Sequence, residues 1–377
     1  MDLLYELWLH DICEFNAKKV EKCLFVFENA YNAFHSKPYS IDKIRAFGMS
    51  SFLSQKKDFS NAERIINDCK EKDIRILTID DEDYPFLLKK IHLPPRILFV
   101  KGTLKNFDEY FPISIIGTRK PTNQGKLFTR KLSEDLVTNN KVVIVSGMAE
   151  GIDAEAHKGA LEKGAKTIAV LAGGVDKIYP PSNRKLYYEI LKNGAIISEK
   201  PPESIGNSFS YNQRNRIIAG LSKGIVVVEG KFKSGTRHTV NHAYDNDRDI
   251  FAVPSNPMAI QSQYPNQLIK EGASVVLKAD DLIDEYINVY PEYFNINENI
   301  NNENNISLPE NLTDEEKLIV NFIIEKGGCA HVDQLALEIN LPIGKLNSTL
   351  TILELKGILS QQSQNQYLLK EVDCFAN

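Results

Sequence analysis

Residues 74–285 alternate short apolar runs with segments whose apolar residues recur at helical spacing. Eight runs predict strands: IRILTI (74–79), ISII (113–116), VVIV (142–145), TIAVL (167–171), AII (195–197), IVVV (225–228), IFAV (250–253) and SVVL (274–277). Strands that alternate with helices favour parallel pairing and right-handed crossovers. Near-continuous apolar strands indicate a sheet that is buried on both faces. The sequence therefore predicts an α/β fold, an extended Rossmann-like doubly wound parallel sheet, over residues 74–288.

The segments on either side of this region are helix-patterned. Residues 1–70 place apolar residues at helical spacing and predict a small all-helical domain with no visible chemistry. Asparagine dominates residues 294–311, which have little to bury and predict a flexible linker. Residues 312–377 predict three helices and a short hairpin, the winged-helix pattern. Its first helix opens with the capping pair Thr313 and Glu316.

Composition and charge narrow the class of protein. The formal net charge is −5 and the pI is near 5.9, whereas proteins that coat nucleic acid through bulk charge are usually basic. Any polyanion site must therefore be a local patch. The five cysteines lie apart without a CxxC pair, which predicts reduced thiols in a cytosol and neither disulfides nor a zinc site. Without a basic leader or an apolar run of about 18 residues, we expect a cytoplasmic protein with no membrane contact.

Polar loops follow the predicted strands and repeatedly combine Gly, Ser or Thr with a basic residue. In open parallel sheets, ligands bind outside the carboxyl ends of the strands, where glycine loops and helix N-termini favour anions. The sequence predicts that bases from separate loops converge there on an anion pocket. These bases are Arg119, Lys177, Arg214 and Arg216, joined by Ser234 and Gly235. The alternative is that one arginine pairs with Glu199 or Glu229 and only supports the loops.

Other chemistry has weaker signals in these loops. Neither GxGxxG nor a Walker GxxxxGK[ST] motif occurs, which argues against dinucleotide and ATP sites, and we expect no cofactor. Asp153 and His157 lie four residues apart on one predicted helix and so share a face. Without a third ligand or a nucleophile, the pair is weak evidence for an active site. A structural role fits better, with Asp153 supporting the glycine loop and His157 satisfying a buried neighbour. We therefore predict no metal site.

Aromatic residues also lie in the predicted rim, at Tyr179, Phe209 and Tyr211. Bases of single-stranded nucleic acid stack on such rings. We predict Tyr179 as a ligand contact, and the alternative is that these rings cover the edge of the sheet.

Seven of these segments together resemble the successive motifs of the DNA-processing DprA family, also called Smf. They are IIGTRKPTNQG, SGMAEGIDAEAHKGAL, TIAVLAGGVDKIYPPSN, ISEKPP, RNRIIAGLSKGIVVVEG, KSGT and RDIFAVPSNP, in the family's order. The resemblance runs from about residue 74 to 278. It implies a homodimer that binds single-stranded DNA without sequence preference and loads the recombinase RecA onto it during natural transformation. It implies no enzymatic activity.

The same resemblance implies which residues line the DNA pocket. They are Gly117, Thr118, Arg119, Ser146, Gly147, Gly173, Lys177, Arg214, Asn215, Arg216, Ser234, Gly235 and Thr236. This chain departs from the family's pattern after KSGT, where Arg237 and His238 stand in place of the usual apolar residues.

Two other functions stay open at this point. A nucleotide-processing enzyme of the related phosphoribohydrolase type would have a catalytic glutamate soon after a Gly-Thr loop, and here no acid follows Thr236 until Asp245. A regulator that reads duplex DNA through its winged helix is disfavoured because the predicted recognition helix has only Lys345 and Lys356 as bases, with Glu354 opposing them.

Overall fold

A nine-stranded sheet organises the larger of two compact units, Met1–Phe294 and Asn295–Asn377. The structure, a computed structural model, describes residues 2–36, 57–232, 234–294, 312–325, 329–339, 341–362 and 366–369. Apart from Phe294, the predicted linker lies outside these residues, so its flexibility stays a prediction.

The strands of the large sheet are β1 (Arg75–Thr78), β2 (Ile97–Gly102), β3 (Phe111–Ile116), β4 (Val142–Ser146), β5 (Thr167–Val170), β6 (Gly194–Ser198), β7 (Gly224–Val227), β8 (Asp249–Ala252) and β9 (Ser274–Val275). Their spatial order is β1-β2-β6-β5-β4-β3-β7-β8-β9. The seven strands from β6 to β9 in this order pair in parallel, as predicted. From β3 the chain first adds β4 on one side of that strand, and it later returns to place β7 on the other side of β3. This topology opens a crevice beside the end of β3.

In the described residues of this unit the α-helices are α1 (Leu3–Ile12), α2 (Ala17–Phe27), α3 (Ala30–His35), α4 (Ser60–Glu71), α5 (Phe86–Lys89), α6 (Asn123–Val137), α7 (Ile152–Glu162), α8 (Arg184–Asn193), α9 (Ser208–Leu221), α10 (Thr236–Tyr244), α11 (Gln263–Lys270) and α12 (Asp280–Ile287). Helices α5, α9, α10 and α11 cover one face of the sheet. Helices α6, α7 and α12 cover part of the other face, and α1, α4 and α8 cover the rest. Burial on both faces explains the near-continuous apolar strands.

One end of the sheet differs from the predicted pattern. Strand β2 was not among the eight predicted runs, and it pairs antiparallel with both β1 and β6. The expectation of uniformly parallel pairing is therefore wrong for β1. The segment between β1 and β2 contains only the four-residue helix α5, and a parallel crossover needs about a dozen residues that usually form a longer helix.

The N-terminal helices have two sets of apolar contacts. Trp8 and Leu9 of α1 pack with Val20 of α2 in a small helical core. Leu7 of the same helix packs in a cluster with Phe99 of β2. A domain boundary near residue 70 stays a prediction, but α1 shares a hydrophobic core with the sheet.

The second unit has the winged-helix arrangement that the sequence predicted. Its elements are α13 (Asp314–Glu325), β10 (Cys329–His331), α14 (Val332–Glu338), α15 (Ile343–Leu355), β11 (Leu359–Gln362) and β12 (Gln366–Leu369). The strands form an antiparallel sheet in the order β10-β12-β11. The predicted capping pair is confirmed: Thr313 N–H donates to Glu316 at 2.8 Å and Glu316 N–H donates to Thr313 Oγ1 at 3.3 Å.

No helix in the described parts of the chain is both long and apolar enough to cross a membrane.

Replacing Leu7 with Ala tests whether α1 shares the core of the sheet. We expect the free energy of unfolding of the whole larger unit to fall by about 2–5 kcal/mol, because a fully buried leucine is lost from a packed cluster. Urea unfolding followed by far-UV circular dichroism measures this loss. Leu127→Ala is the control, since Leu127 is 71% exposed and should change stability by less than about 0.5 kcal/mol. A separate early transition confined to the helices would contradict the shared core.

Candidate functional site

A cavity of about 650 Å³ opens at the carboxyl end of β3, in the crevice between β3 and β7. Three segments form most of its wall: Ile116–Arg119 after β3, one face of α9, and the start of α10 with the loop before it. Of the predicted site residues, eight line it. They are Gly117, Thr118, Arg119, Arg214, Asn215, Ser234, Gly235 and Thr236.

Glu229 fixes the loop that follows β3. Its main-chain oxygen accepts from Thr118 N–H at 2.7 Å. Its carboxylate accepts from both the N–H and the hydroxyl of Thr122, which caps α6. A side chain at Gly125 would overlap this carboxylate. Glu229 therefore binds backbone and hydroxyl groups and does not pair with either predicted arginine.

Arg214 crosses beneath the cavity and ties three segments together. It is only 7% exposed. Its Nη1 donates to the carbonyl of Gly147 at 2.7 Å and to the carbonyl of Val170 at the end of β5. Any side chain at Gly147 would overlap the guanidinium. The glycine after β4 is thus required by the close approach of Arg214, and Gly147 itself does not line the cavity.

Asp153 supports the same loop from α7, as the sequence suggested. Its carboxylate accepts from Gly147 N–H at 3.2 Å and lines the cavity. Burial raises the pKa of Asp153, and the nearby Arg214 opposes that rise. The opposite charges of the Asp153 carboxylate and the Arg214 guanidinium offset the cost of burying each group. The loop is therefore held by two buried side chains whose charges nearly cancel.

Arg119 is the exposed cation of this cavity. It lies on the surface, with its guanidinium carbon 5.3 Å from the centre of the Tyr211 ring. In the described parts of the chain, no carboxylate forms an ion pair with it. A cation held over an aromatic face and left without a counter-ion is available to an anionic ligand.

The structure corrects the placement of Arg216, which does not line the cavity. Its guanidinium forms a buried ion pair with Glu199 and donates to the carbonyl of Leu93 at 2.6 Å. Residues two apart on an α-helix lie about 200° apart around its axis. Arg214 and Arg216 on α9 therefore extend in different directions, and the supporting alternative describes Arg216.

Four other predicted residues lie outside the cavity wall. Lys177 forms an ion pair with Glu203, and Lys177 and Lys72 lower the pKa of that carboxyl to about 2. Tyr179 is 57% exposed, with its ring centre 6.2 Å from that of Tyr211, which puts it at the rim.

The remaining two predicted residues, Ser146 and Gly173, contact main-chain groups of the protein. The buried Ser146 hydroxyl donates to the carbonyl of Ile115 at 2.7 Å. A side chain at Gly173 would overlap the carbonyl of Ser204.

The sequence missed several residues of the wall, which lie on one face of α9. They are Ser208, Tyr211, Asn212 and Ile218. Their spacing of three and four residues, continued by Asn215, is a helical signal. The start of the helix could also have been predicted, since Asn207 and Ser210 form a capping box. The sequence placed Tyr211 in the rim, and the structure places it in the cavity wall.

No cluster of three or more His, Cys, Asp or Glu side chains suited to a metal occurs among the described residues.

Comparison with known proteins decides the family. The model of the family described as DNA recombination-mediator protein A matches residues 75–287, and that of the DprA winged helix domain matches residues 307–365. The chain belongs to the DNA recombination-mediator protein A family.

Relatives in this family cover much of the chain. Protein Smf of Synechocystis is 38% identical over 68% of this chain and 66% of its own length. The DNA processing protein DprA of Bacillus subtilis is 36% identical over 65% of this chain and 81% of its own length.

Two solved structures in the family are similar as well. DNA processing protein A of Streptococcus pneumoniae has a TM-score of 0.63 at 31% identity, over 75% of this chain and 97% of its own. That of Helicobacter pylori, solved for its single-stranded DNA binding mode, has a TM-score of 0.52 at 30% identity, over 57% of this chain and 96% of its own.

His157 on α7 is fully buried. Its Nδ1 lies 2.6 Å from Thr167 Oγ1, whose proton is donated to the carbonyl of Ile144. Nδ1 must therefore carry the imidazole proton, and the buried Nε2 has no hydrogen-bond partner among the residues that the structure describes. Burial lowers the pKa of His157 to about 3, since a second proton on Nε2 would have no acceptor.

The His157 site should make stability depend on pH. The unfolded chain binds a proton near pH 6.5, whereas the native imidazole stays neutral down to about pH 3. Protons therefore bind the unfolded state preferentially, and the free energy of unfolding falls as the pH drops below 6.5. His157→Gln should flatten this fall between pH 6.5 and 5 by at most about 1.4 kcal/mol per pH unit. Urea unfolding across this range measures the slope, and equal slopes for both proteins would contradict the assignment.

A mutant cycle tests the role of Arg216. Arg216→Met alone should destabilise the protein by about 3–5 kcal/mol, because it leaves the Glu199 carboxylate buried without its partner. The double variant Arg216→Met/Glu199→Met should recover much of that loss. Thermal and urea unfolding measure Arg216→Met, Glu199→Met and the double variant. A double variant as unstable as the sum of the two single variants would contradict a mutually compensating pair.

Proposed function

We propose that the cavity beside β3 binds single-stranded DNA without sequence preference. The observation that carries this proposal is the exposed Arg119 above Tyr211, which has no ion pair in the described parts of the chain and lies next to the N-terminus of α10 at Gly235 and Thr236. A cation and a helix N-terminus attract phosphate, and the exposed ring of Tyr179 beside the half-buried ring of Tyr211 offers a stacking surface to unpaired bases. Neither interaction depends on base identity. The single-stranded DNA binding of the Helicobacter pylori protein supports the same conclusion.

The local nature of the site suits a protein with a net charge of −5. Bulk charge would repel a polyanion, so affinity must come from a few close contacts. Their strength should fall steeply with salt, because each neutralised phosphate releases condensed counterions.

An enzymatic function has little support in the cavity. Helix α10, which follows the Gly-Thr pair, contains no Asp or Glu over Thr236–Tyr244. The carboxylate that does line the cavity, Asp153, is occupied by the amide of Gly147. We therefore propose a binding protein and not a nucleotide hydrolase.

Duplex reading by the winged-helix unit also has little support. Lys345 pairs with Glu315, and Lys356 lies 2.7 Å from Glu316. The bases of the recognition-like helix are thus neutralised within the unit.

We further propose that the bound strand is delivered to RecA in the cytoplasm during natural transformation, and that the protein acts as a homodimer. A mediator must hold single strands without reading their sequence, and the cavity provides such contacts. A RecA strand-exchange assay, with the DNA first covered by single-strand-binding protein, tests delivery. We expect the protein to shorten the lag before exchange, and an unchanged lag would contradict the proposal.

Sedimentation equilibrium measures the oligomeric state, and a monomer at all concentrations would contradict the dimer.

Arg119→Ala tests the DNA-binding proposal. We expect weaker binding of a fluorescent oligothymidylate and a slope of log K against log salt that is smaller by about 0.7, because one phosphate contact is lost. Fluorescence anisotropy at several salt concentrations measures both quantities. Arg64→Ala is the matched control, since Arg64 is an exposed arginine on α4 that does not line the cavity. Identical titrations for the Arg119 variant and the wild type would contradict the assignment.

A further inference from the structure

A second cavity adjoins the first along α10. It has a volume of about 520 Å³ and is lined by Phe232, Ser234, Gly235, Arg237, His238 and Asn241. Ser234, Gly235 and His238 line both cavities. A chain that leaves the first cavity past these three residues therefore enters the second without crossing a wall of the protein.

The second cavity combines an exposed aromatic ring with a free cation. Phe232 is 48% exposed, although it is a large apolar side chain. Arg237 is exposed on the first turn of α10, and no carboxylate in the described parts of the chain forms an ion pair with it. Asn241 lies one turn further along the same helix and adds an amide that can both donate and accept.

A polar group at the junction of the two cavities also lacks a partner. The hydroxyl oxygen of Ser234 is buried and has no hydrogen-bond partner among the described residues. A buried hydroxyl without a partner costs stability, so such groups usually serve a ligand or water. Its position between the cavities places a donor where the connecting part of a ligand would pass.

We propose that this second cavity is an additional nucleotide subsite, in which a base stacks on Phe232 and the adjoining phosphate pairs with Arg237. The inference rests on the proposed single-stranded DNA binding of the first cavity. In this arrangement the path of the bound strand runs from Arg119 past Ser234 towards Asn241. A nucleotide is favoured over a protein partner because the cavity is continuous with the first one through Ser234, Gly235 and His238, and no carboxylate is among the residues that line it.

Phe232→Ala tests the stacking contact. We expect the affinity for a long oligothymidylate to fall about 5- to 150-fold, the range for loss of one base–aromatic contact. Phe232→Trp should restore binding, because it keeps an aromatic face. The penalty should vanish on a strand of abasic sites, which has phosphates but no bases. Phe86→Ala is the matched control, since Phe86 is 58% exposed on α5 and lines neither cavity.

Arg237→Ala tests the phosphate contact. It should reduce the slope of log K against log salt by about 0.7, and this reduction should persist on the abasic strand. Short oligonucleotides that fill only the first cavity should bind both variants as tightly as the wild type. The difference should appear only as the strand is lengthened.

The outcomes separate this inference from the proposed function. If the wild type does not bind single-stranded DNA, the function of the first cavity fails. If Arg119→Ala weakens binding while the Phe232 and Arg237 variants match the wild type at every length, only the second subsite fails. If Phe232→Ala changes the sedimentation coefficient and not the DNA affinity, the ring is a protein contact and the subsite is refuted.

Discussion

The buried guanidinium of Arg214 is the interaction on which the shape of the site depends. It joins α9 to the loop after β4 and to the end of β5 through two carbonyl groups. A guanidinium cannot lose its charge to escape burial, so its donors must all be satisfied where it lies. Asp153 nearby supplies the compensating charge and also holds Gly147 N–H. The loops therefore form around a fixed cation, and Gly147 must lack a side chain for the cation to pass.

The positive charges near the sheet edge have different roles because they differ in partners. Arg216 and Lys177 have carboxylate partners, Glu199 and Glu203. Arg214 is occupied by carbonyls. Arg119 and Arg237 are exposed without an ion pair among the described residues. An acidic protein thereby keeps a small cationic surface where its sheet opens, while its other nearby bases stabilise the fold.

Two kinds of burial support this surface from behind. Apolar helices on both faces of the sheet fix the ends of the strands. The buried polar groups then fix the loops, because each must find a partner away from water. Glu229 accepts a hydrogen bond from Thr122 in the loop after β3, and His157 connects α7 to β5 through Thr167. A rigid scaffold of this kind fixes the backbone from which the exposed side chains extend, which lowers the entropic cost of binding a ligand.

The sequence by itself determined the sheet, its burial and the loops that carry the site. Apolar runs alternating with helices predicted the parallel strands, and Gly-rich turns predicted the crevice. It also determined the winged-helix unit, down to the Thr313–Glu316 cap. Only the tertiary structure decided which bases face the cavity. Pairs such as Arg216–Glu199 and Lys177–Glu203 join residues 17 and 26 positions apart, respectively, in the chain, so the sequence could offer the first pair only as an alternative and no local pattern decides whether either pair forms. The antiparallel pairing of β2 with β6 was likewise decided by the tertiary structure, because strand pairing depends on neighbours that the local sequence does not specify.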